Sequence, residues 1–171
     1  MLATEEARRL KYNWVGTETI ILGLLNLNEG TAFHVLEEAG LTIEQYRDEV
    51  VLQIGEKNDK VDIEIPFTPG AKRSIESAWI ESYRWNNLKC IGTEHLLLGI
   101  ASIEDCFGTR TLKKLAPQIQ IRKSVFERLG KDFIEQSFII PESKYTSHCK
   151  VCDGVVRNGS YCCFHCIKNK E

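Results

Sequence analysis

Val15-Gly-Thr-Glu-Thr-Ile-Ile-Leu-Gly-Leu24 returns later in the chain as Ile91-Gly-Thr-Glu-His-Leu-Leu-Leu-Gly-Ile100. The offset is 76 residues, and without a gap it also sets Glu5 on Glu81, Arg8 on Arg84, Leu22-Gly23 on Leu98-Gly99 and Leu36 on Leu112. A period this long, present twice, describes a duplicated helical unit and not a solenoid of many short repeats. In the first copy Gly16 ends a turn and Thr17 reads as the cap of a helix running to Leu27. Ile20, Ile21, Leu24 and Leu25 are apolar at helical spacing, and Gly23 lies where a neighbouring backbone could pass closely.

Working outward, residues 3–11 are strong helix formers with a charged face of Glu5, Glu6, Arg8 and Arg9. The matching helix of the second copy opens at Pro69, with Thr68 as its cap and proline at the first helical position. Counting back by the repeat places the equivalent start ahead of Met1, so the opening helix is expected to be short and the first copy the less stable. Asn28-Glu29-Gly30 is a stop signal. A third helix is predicted over 31–39, ending on Gly40, and a fourth over 43–54, capped by Thr42. The second copy repeats them over 69–87, 93–102, 106–115 and 118–130. Between the copies, Val61-Asp-Ile-Glu-Ile-Pro66 alternates like a short extended segment, which alone cannot make a stable sheet.

The fold class is therefore all-α: two tandem pseudo-symmetric four-helix repeats, 1–55 and 69–131, followed by a linker over 132–147 and a distinct tail over 148–171. Of 171 residues, 43% are apolar and 27% charged, with a net charge of −2, as in an ordinary globular protein. Nothing in that balance calls for nucleic acid or an anionic membrane. The apolar runs are too short to span a bilayer, and no charged-then-apolar leader opens the chain. Cytoplasm or plastid stroma is the expected location.

Five of the seven cysteines lie between Cys149 and Cys166, which suits a metal in a reducing compartment better than a disulfide framework. Cys149-x-x-Cys152 and Cys163-x-x-Cys166 together make a closed tetrahedral four-thiolate set for one structural zinc ion, the favoured assignment. Cys162-x-x-His165 has equal spacing and supplies an alternative set of three cysteines and one histidine. Residues 145–171 hold too few apolar groups to fold alone, so metal binding would supply their folding free energy. Four protein ligands leave no open position for catalysis. Cys90 and Cys106 read as lone small thiols. His34 and His95 read as surface or half-buried polar residues, with no nucleophile and partner base near in sequence.

The two Gly-Thr-Glu copies, Glu-Glu-Ala-Arg-Arg-Leu at 5–10 and Ile65-Pro-Phe-Thr-Pro-Gly-Ala-Lys-Arg73 resemble the N-terminal domain of Clp-type AAA+ unfoldases, ClpC above all, over residues 1–131. Gly70 departs from that pattern, where arginine is usual, and so does Thr19, where the histidine retained here as His95 is common. The resemblance implies substrate and adaptor docking, with Clp subunits or client proteins as partners. In bacterial ClpC the glutamate of each such motif binds the guanidinium of phosphoarginine; by position these are Glu18 and Glu94. A carboxylate suits a planar guanidinium, but an acid in the first turn is also plain capping and dipole chemistry. Both readings of the pair stand. No Gly-x-x-x-x-Gly-Lys-Ser/Thr phosphate loop occurs in the sequence, so the expectation is a free-standing, non-enzymatic Clp accessory or adaptor that binds no nucleotide. The alternative is a zinc-dependent regulatory protein using the fold for an unrelated protein or nucleic-acid partner.

Overall fold

Thr68 and Thr42 start their helices as their positions dictate. In the computed structural model Thr68 Oγ1 accepts the Ala71 N–H at 3.1 Å, and Thr42 Oγ1 accepts the Gln45 N–H at 3.2 Å while Gln45 Oε1 accepts from Thr42 N at 3.3 Å. The structure describes residues 2–55, 61–86 (without the side chains of 83–86) and 91–130, and the backbone of 147–148 and 155–156. Contacts divide the chain into Met1–Phe133 and Ile134–Glu171.

The first unit holds α1 (Leu2–Arg9), α2 (Thr17–Asn26), α3 (Gly30–Glu38), α4 (Ile43–Ile54), α5 (Pro69–Asn86), α6 (Thr93–Ala101), α7 (Phe107–Leu115) and α8 (Ile121–Arg128). Asn28, in the left-handed region at φ +55°, stops α2; Gly40 and Gly55, at +80° and +79°, stop α3 and α4. The duplication is visible, but its register is not constant. Ala3 packs on Gly23 and Ala78 on Gly99. Glu6 is bound by Arg47 at 2.9 Å and Glu81 by Arg122 at 2.7 Å. These matches equate Ala3 with Ala78 and Glu6 with Glu81, an offset of 75, whereas Gly23 and Gly99 remain 76 apart. Glu81 is thus the counterpart of Glu6 and not of Glu5. One residue enters between α5 and Gly92 and is lost again before α8, because each helix is placed by what it buries and loops absorb the difference.

The repeats are interleaved. α3 packs on α6 and α8, and α7 packs on α2 and α4. Ion pairs Glu49–Lys114, at 2.6 Å, and Glu38–Arg128 cross between the copies. Tyr12, Ile21, Leu22, Leu36 and Tyr46 share one buried cluster with Leu97, Leu98, Ile100, Leu112 and Val125. With a common core, a weaker first repeat cannot show itself as a separate transition. The connector runs extended beside the α1–α2 turn: Val15 N–H donates to Pro66 O at 2.8 Å and Thr68 N–H to Val15 O at 2.9 Å, a single parallel bridge and not a sheet.

In the second unit β1 (Ser147–His148) pairs antiparallel with β2 (Val155–Val156), Ser147 opposite Val156 and His148 opposite Val155. The predicted linker 132–147, apart from Ser147, lies outside the described residues, as do Cys90, Cys149, Cys152, Cys162, Cys163, His165 and Cys166.

Candidate functional site: the two Gly-Thr-Glu turns

The helix cap at each turn is the glycine, not the threonine. Gly16 (φ −101°, ψ 178°) and Gly92 (φ −87°, ψ 175°) are the N-cap residues of α2 and α6. Any residue tolerates those angles, so another constraint must ask for glycine. A Cβ on Gly16 would lie 2.1 Å from Glu18 Oε1, and one on Gly92 2.3 Å from Glu94 Oε1. Each glutamate folds back over its glycine onto the helix N-terminus, where a negative charge is favoured.

Thr17 and Thr93, expected as caps, do something else. Thr17 Oγ1 accepts the buried Gly108 N–H at 2.9 Å, and Thr93 Oγ1 accepts the Ala32 N–H at 3.4 Å. Each threonine thus ties its helix to the third helix of the other repeat. Capping falls to the third helical residue. Thr19 Oγ1 accepts from Gly16 N at 3.1 Å, and His95 Nδ1 accepts from Gly92 N at 3.0 Å. His95 is therefore buried, 3% exposed, and not the surface or half-buried residue that its sequence suggested. Glu94 Oε1 also stands 3.2 Å from His95 Nδ1. One nitrogen cannot serve both, and acceptance from Gly92 N–H requires Nδ1 unprotonated. His34 is half-buried, with Nδ1 3.5 Å from Glu37 Oε2. Cys106 is buried and caps α7, its Sγ accepting from Thr109 N at 3.4 Å.

The two carboxylates differ in access. Glu18 is 3% exposed. Trp14, stacked on Tyr12 at 5.0 Å between ring centroids, donates its Nε1–H to Glu18 Oε1 at 3.3 Å. Burial raises the Glu18 pKa above its ordinary 4.5, against the lowering by its own backbone N–H and by Trp14. Tyr46 is buried nearby, its phenol pushed well above the ordinary range by burial and then by the charge of Glu18, and it donates to Gly108 O at 3.2 Å. Glu94, by contrast, leaves 20% of its side chain in solvent. The third-residue partner was the sequence signal overlooked, since that is the reciprocal position of a capping box. Nothing in the sequence marked Trp14.

Residues 1–115 match the Clp repeat (R) N-terminal domain. The chain belongs to the Clp N-terminal domain family. It is 44% identical over 131 residues to the ATP-dependent Clp protease ATP-binding subunit ClpA homolog of Guillardia theta, covering 76% of this chain and 16% of that protein. Chaperone protein ClpC2, chloroplastic, of Oryza sativa subsp. japonica is 44% identical over 132 residues, 77% of this chain and 14% of its own length. This Clp N-domain chain thus spans about a sixth of the curated relatives that it matches. The crystal structure of the N-terminal domain of ClpD from Arabidopsis thaliana is also similar, with TM-score 0.57 and 26% identity over 75% of this chain and 89% of that one. The double four-helix architecture is that of the family. No helix among the described residues is long and apolar enough to cross a membrane, and among those residues no group of three or more His, Cys, Asp or Glu could hold a metal.

Proposed function

We propose that this protein is a non-enzymatic accessory of a Clp ATP-dependent protease, working in the cytoplasm or plastid stroma. Its helical repeats dock on Clp subunits or their clients, and a zinc-ordered tail adds a second contact. One observation carries the reading: residues 1–115 match the Clp N-terminal domain. Several of the related proteins are named as chloroplastic. A docking domain acts by occupancy, and a coupling of about 1–3 kcal/mol shifts a partner's activity several-fold.

Within the docking surface, Glu94 is the carboxylate open to a ligand guanidinium, and Glu18 is a buried structural partner of Trp14. The test uses the full chain immobilised and titrated with a purified Clp unfoldase hexamer and, separately, with the peptidase core. Saturable binding of either supports the accessory role; binding of neither overturns it. A phosphoarginine peptide then tests the finer claim. Glu94→Ala should weaken its binding at least tenfold, and equal binding by wild type and by the variant with both Glu18 and Glu94 replaced by alanine makes the two glutamates caps and nothing more.

A further inference from the structure

We propose that the groove between α1 and α4 is a self-association surface, filled by a second copy of this chain about a two-fold axis. The groove, of about 450 Å³, is lined by Arg9 and Leu10 of α1 and by Arg47, Asp48, Val51 and Leu52 of α4. Leu52 is 75% exposed, whereas Val50 is fully buried. A single exposed leucine is ordinary, but the duplication makes this one informative. Arg47 and Arg122 are equivalent, each binding the buried glutamate of its own repeat. At the same offset, Asp48 and Leu52 correspond to Lys123 and Glu127. Those two form an exposed ion pair at 3.8 Å along α8. One turn of α4 thus carries an acid and a bare leucine where the other repeat keeps a solvated pair.

The charges in the groove select the occupant. Arg47 is committed to Glu6, its Nη2 2.9 Å from Oε2. Arg9 comes no nearer than 3.6 Å to Glu6 Oε1, beyond hydrogen-bonding range, and leaves 63% of its side chain in solvent. Asp48 makes no hydrogen bond or ion pair among the described residues. The groove therefore offers a loosely held cation on α1, an unpaired anion on α4 and apolar surface from Leu10, Val51 and Leu52. A purely acidic segment would be repelled by Asp48, and a purely basic one by Arg9. The complement is a surface with the same features in reverse order. This surface supplies it when turned about a two-fold axis between α1 and α4, which sets Arg9 against Asp48 of the second copy, Asp48 against its Arg9, and Leu52 against Leu52. Such an isologous contact makes every pair twice, and the charges fix its register. Neither Gly-Thr-Glu turn lines the groove, so the pairing does not use Glu94 and stands apart from Clp binding.

Sedimentation velocity of the full chain in reducing buffer, across a range of concentrations, reads the mass. Wild type should pass from monomer to dimer. Arg9→Glu and Asp48→Arg should each weaken the dimer about tenfold or more, since each sets like charges face to face twice. Both substitutions in one chain should restore it, and so should an equimolar mixture of the two single variants. Leu52→Glu, which copies the second repeat, should leave a monomer. If Arg9→Glu loses helical circular dichroism because of the nearby Glu6, Asp48→Arg and Leu52→Glu still decide. A wild-type chain that stays monomeric up to about 1 mM, or a dimer that none of these variants changes, overturns the surface. Weakening in the single variants without recovery in the double variant or the mixture overturns the two-fold arrangement. A chain that dimerises as described and binds no Clp component keeps this surface and loses only the accessory role.

Discussion

Replacing Gly99 with alanine should prise α5 away from α6. The added methyl would stand 2.3 Å from Ser74 O, 2.6 Å from Ala78 N and 2.9 Å from Ala78 Cα. All three are backbone atoms, so no side-chain rotation relieves the contact, and the helices must part by about 1 Å to reach ordinary carbon contact distances. Overpacking costs about 1–3 kcal/mol, and a clash against rigid backbone belongs at the upper end. Alanine returns about 1 kcal/mol in helix propensity, leaving a net loss of about 2 kcal/mol. At roughly 4 °C per kcal/mol for a unit of this size, the midpoint should fall by about 8 °C. Gly70→Ala is the control. The nearest atom to its new methyl is Thr68 Oγ1 at 3.9 Å, so it should be neutral or gain up to about 1 kcal/mol. Far-ultraviolet circular dichroism of both full-length variants, by heat and by urea, reads the difference. Because both repeats contribute to one core, Gly99→Ala should lower a single helical transition. An unchanged midpoint would refute the close approach of α5 and α6; two separated helical transitions would refute the shared core.

Three further outcomes follow from named contacts. Since burial raises the Glu18 pKa above 4.5, the folded protein keeps that proton to higher pH than the unfolded chain. Its favourable contribution is complete below the ordinary carboxylate value and is lost as pH rises through the folded one. Urea titrations should therefore show wild type losing stability relative to Glu18→Gln as pH climbs from acid towards neutrality; parallel curves would place Glu18 in water. Thr17→Val leaves the buried Gly108 N–H without its acceptor and should cost about 1–3 kcal/mol. Thr93→Val should cost less, its bond to Ala32 N being 3.4 Å against 2.9 Å; urea midpoints in the reverse order would contradict the cross-repeat geometry. Tyr46→Phe removes the phenol that donates to Gly108 O at 3.2 Å, with an expected loss of about 1 kcal/mol in the same assay.

Much of the helical unit was legible because its signals are local. The stop at Gly40, caps at Thr42 and Thr68, and apolar spacing after each Gly-Thr-Glu fix where helices begin and end. What the chain does between elements was not legible. The gapless offset matched Glu5 to Glu81 because the second copy carries one extra residue between α5 and Gly92, and an offset of 76 taken from the Gly-Thr-Glu turns ignores it. The partners Arg47 and Arg122, each 41 positions after its glutamate, and the seats of Ala3 and Ala78 on Gly23 and Gly99 reveal the true pair. Thr17 misled for a similar reason. A threonine before an acid is a good cap by local preference, yet its hydroxyl is held by a backbone amide 91 residues away. Periodicity carries no information about which third helix a repeat will use.

The same interleaving bears on how the two turns divide their work. Duplication supplied two carboxylates over two glycines, but their surroundings have diverged. To offer Glu18 to a ligand, the protein would have to break the Trp14 indole bond and expose a carboxylate that burial already pushes towards its neutral form. Glu94 leaves 20% of its side chain in solvent. It is not isolated, however: Thr93 Oγ1 lies 3.5 Å from Glu94 Oε2 and accepts the Ala32 N–H of the first repeat. A ligand held at Glu94, as proposed, would therefore press on a threonine that anchors the opposite repeat. The buried first turn, through Thr17 and Gly108, holds the second repeat's α7 in return. On the proposed docking role, one turn would face the partner and the other would keep rigid the scaffold on which that turn is displayed.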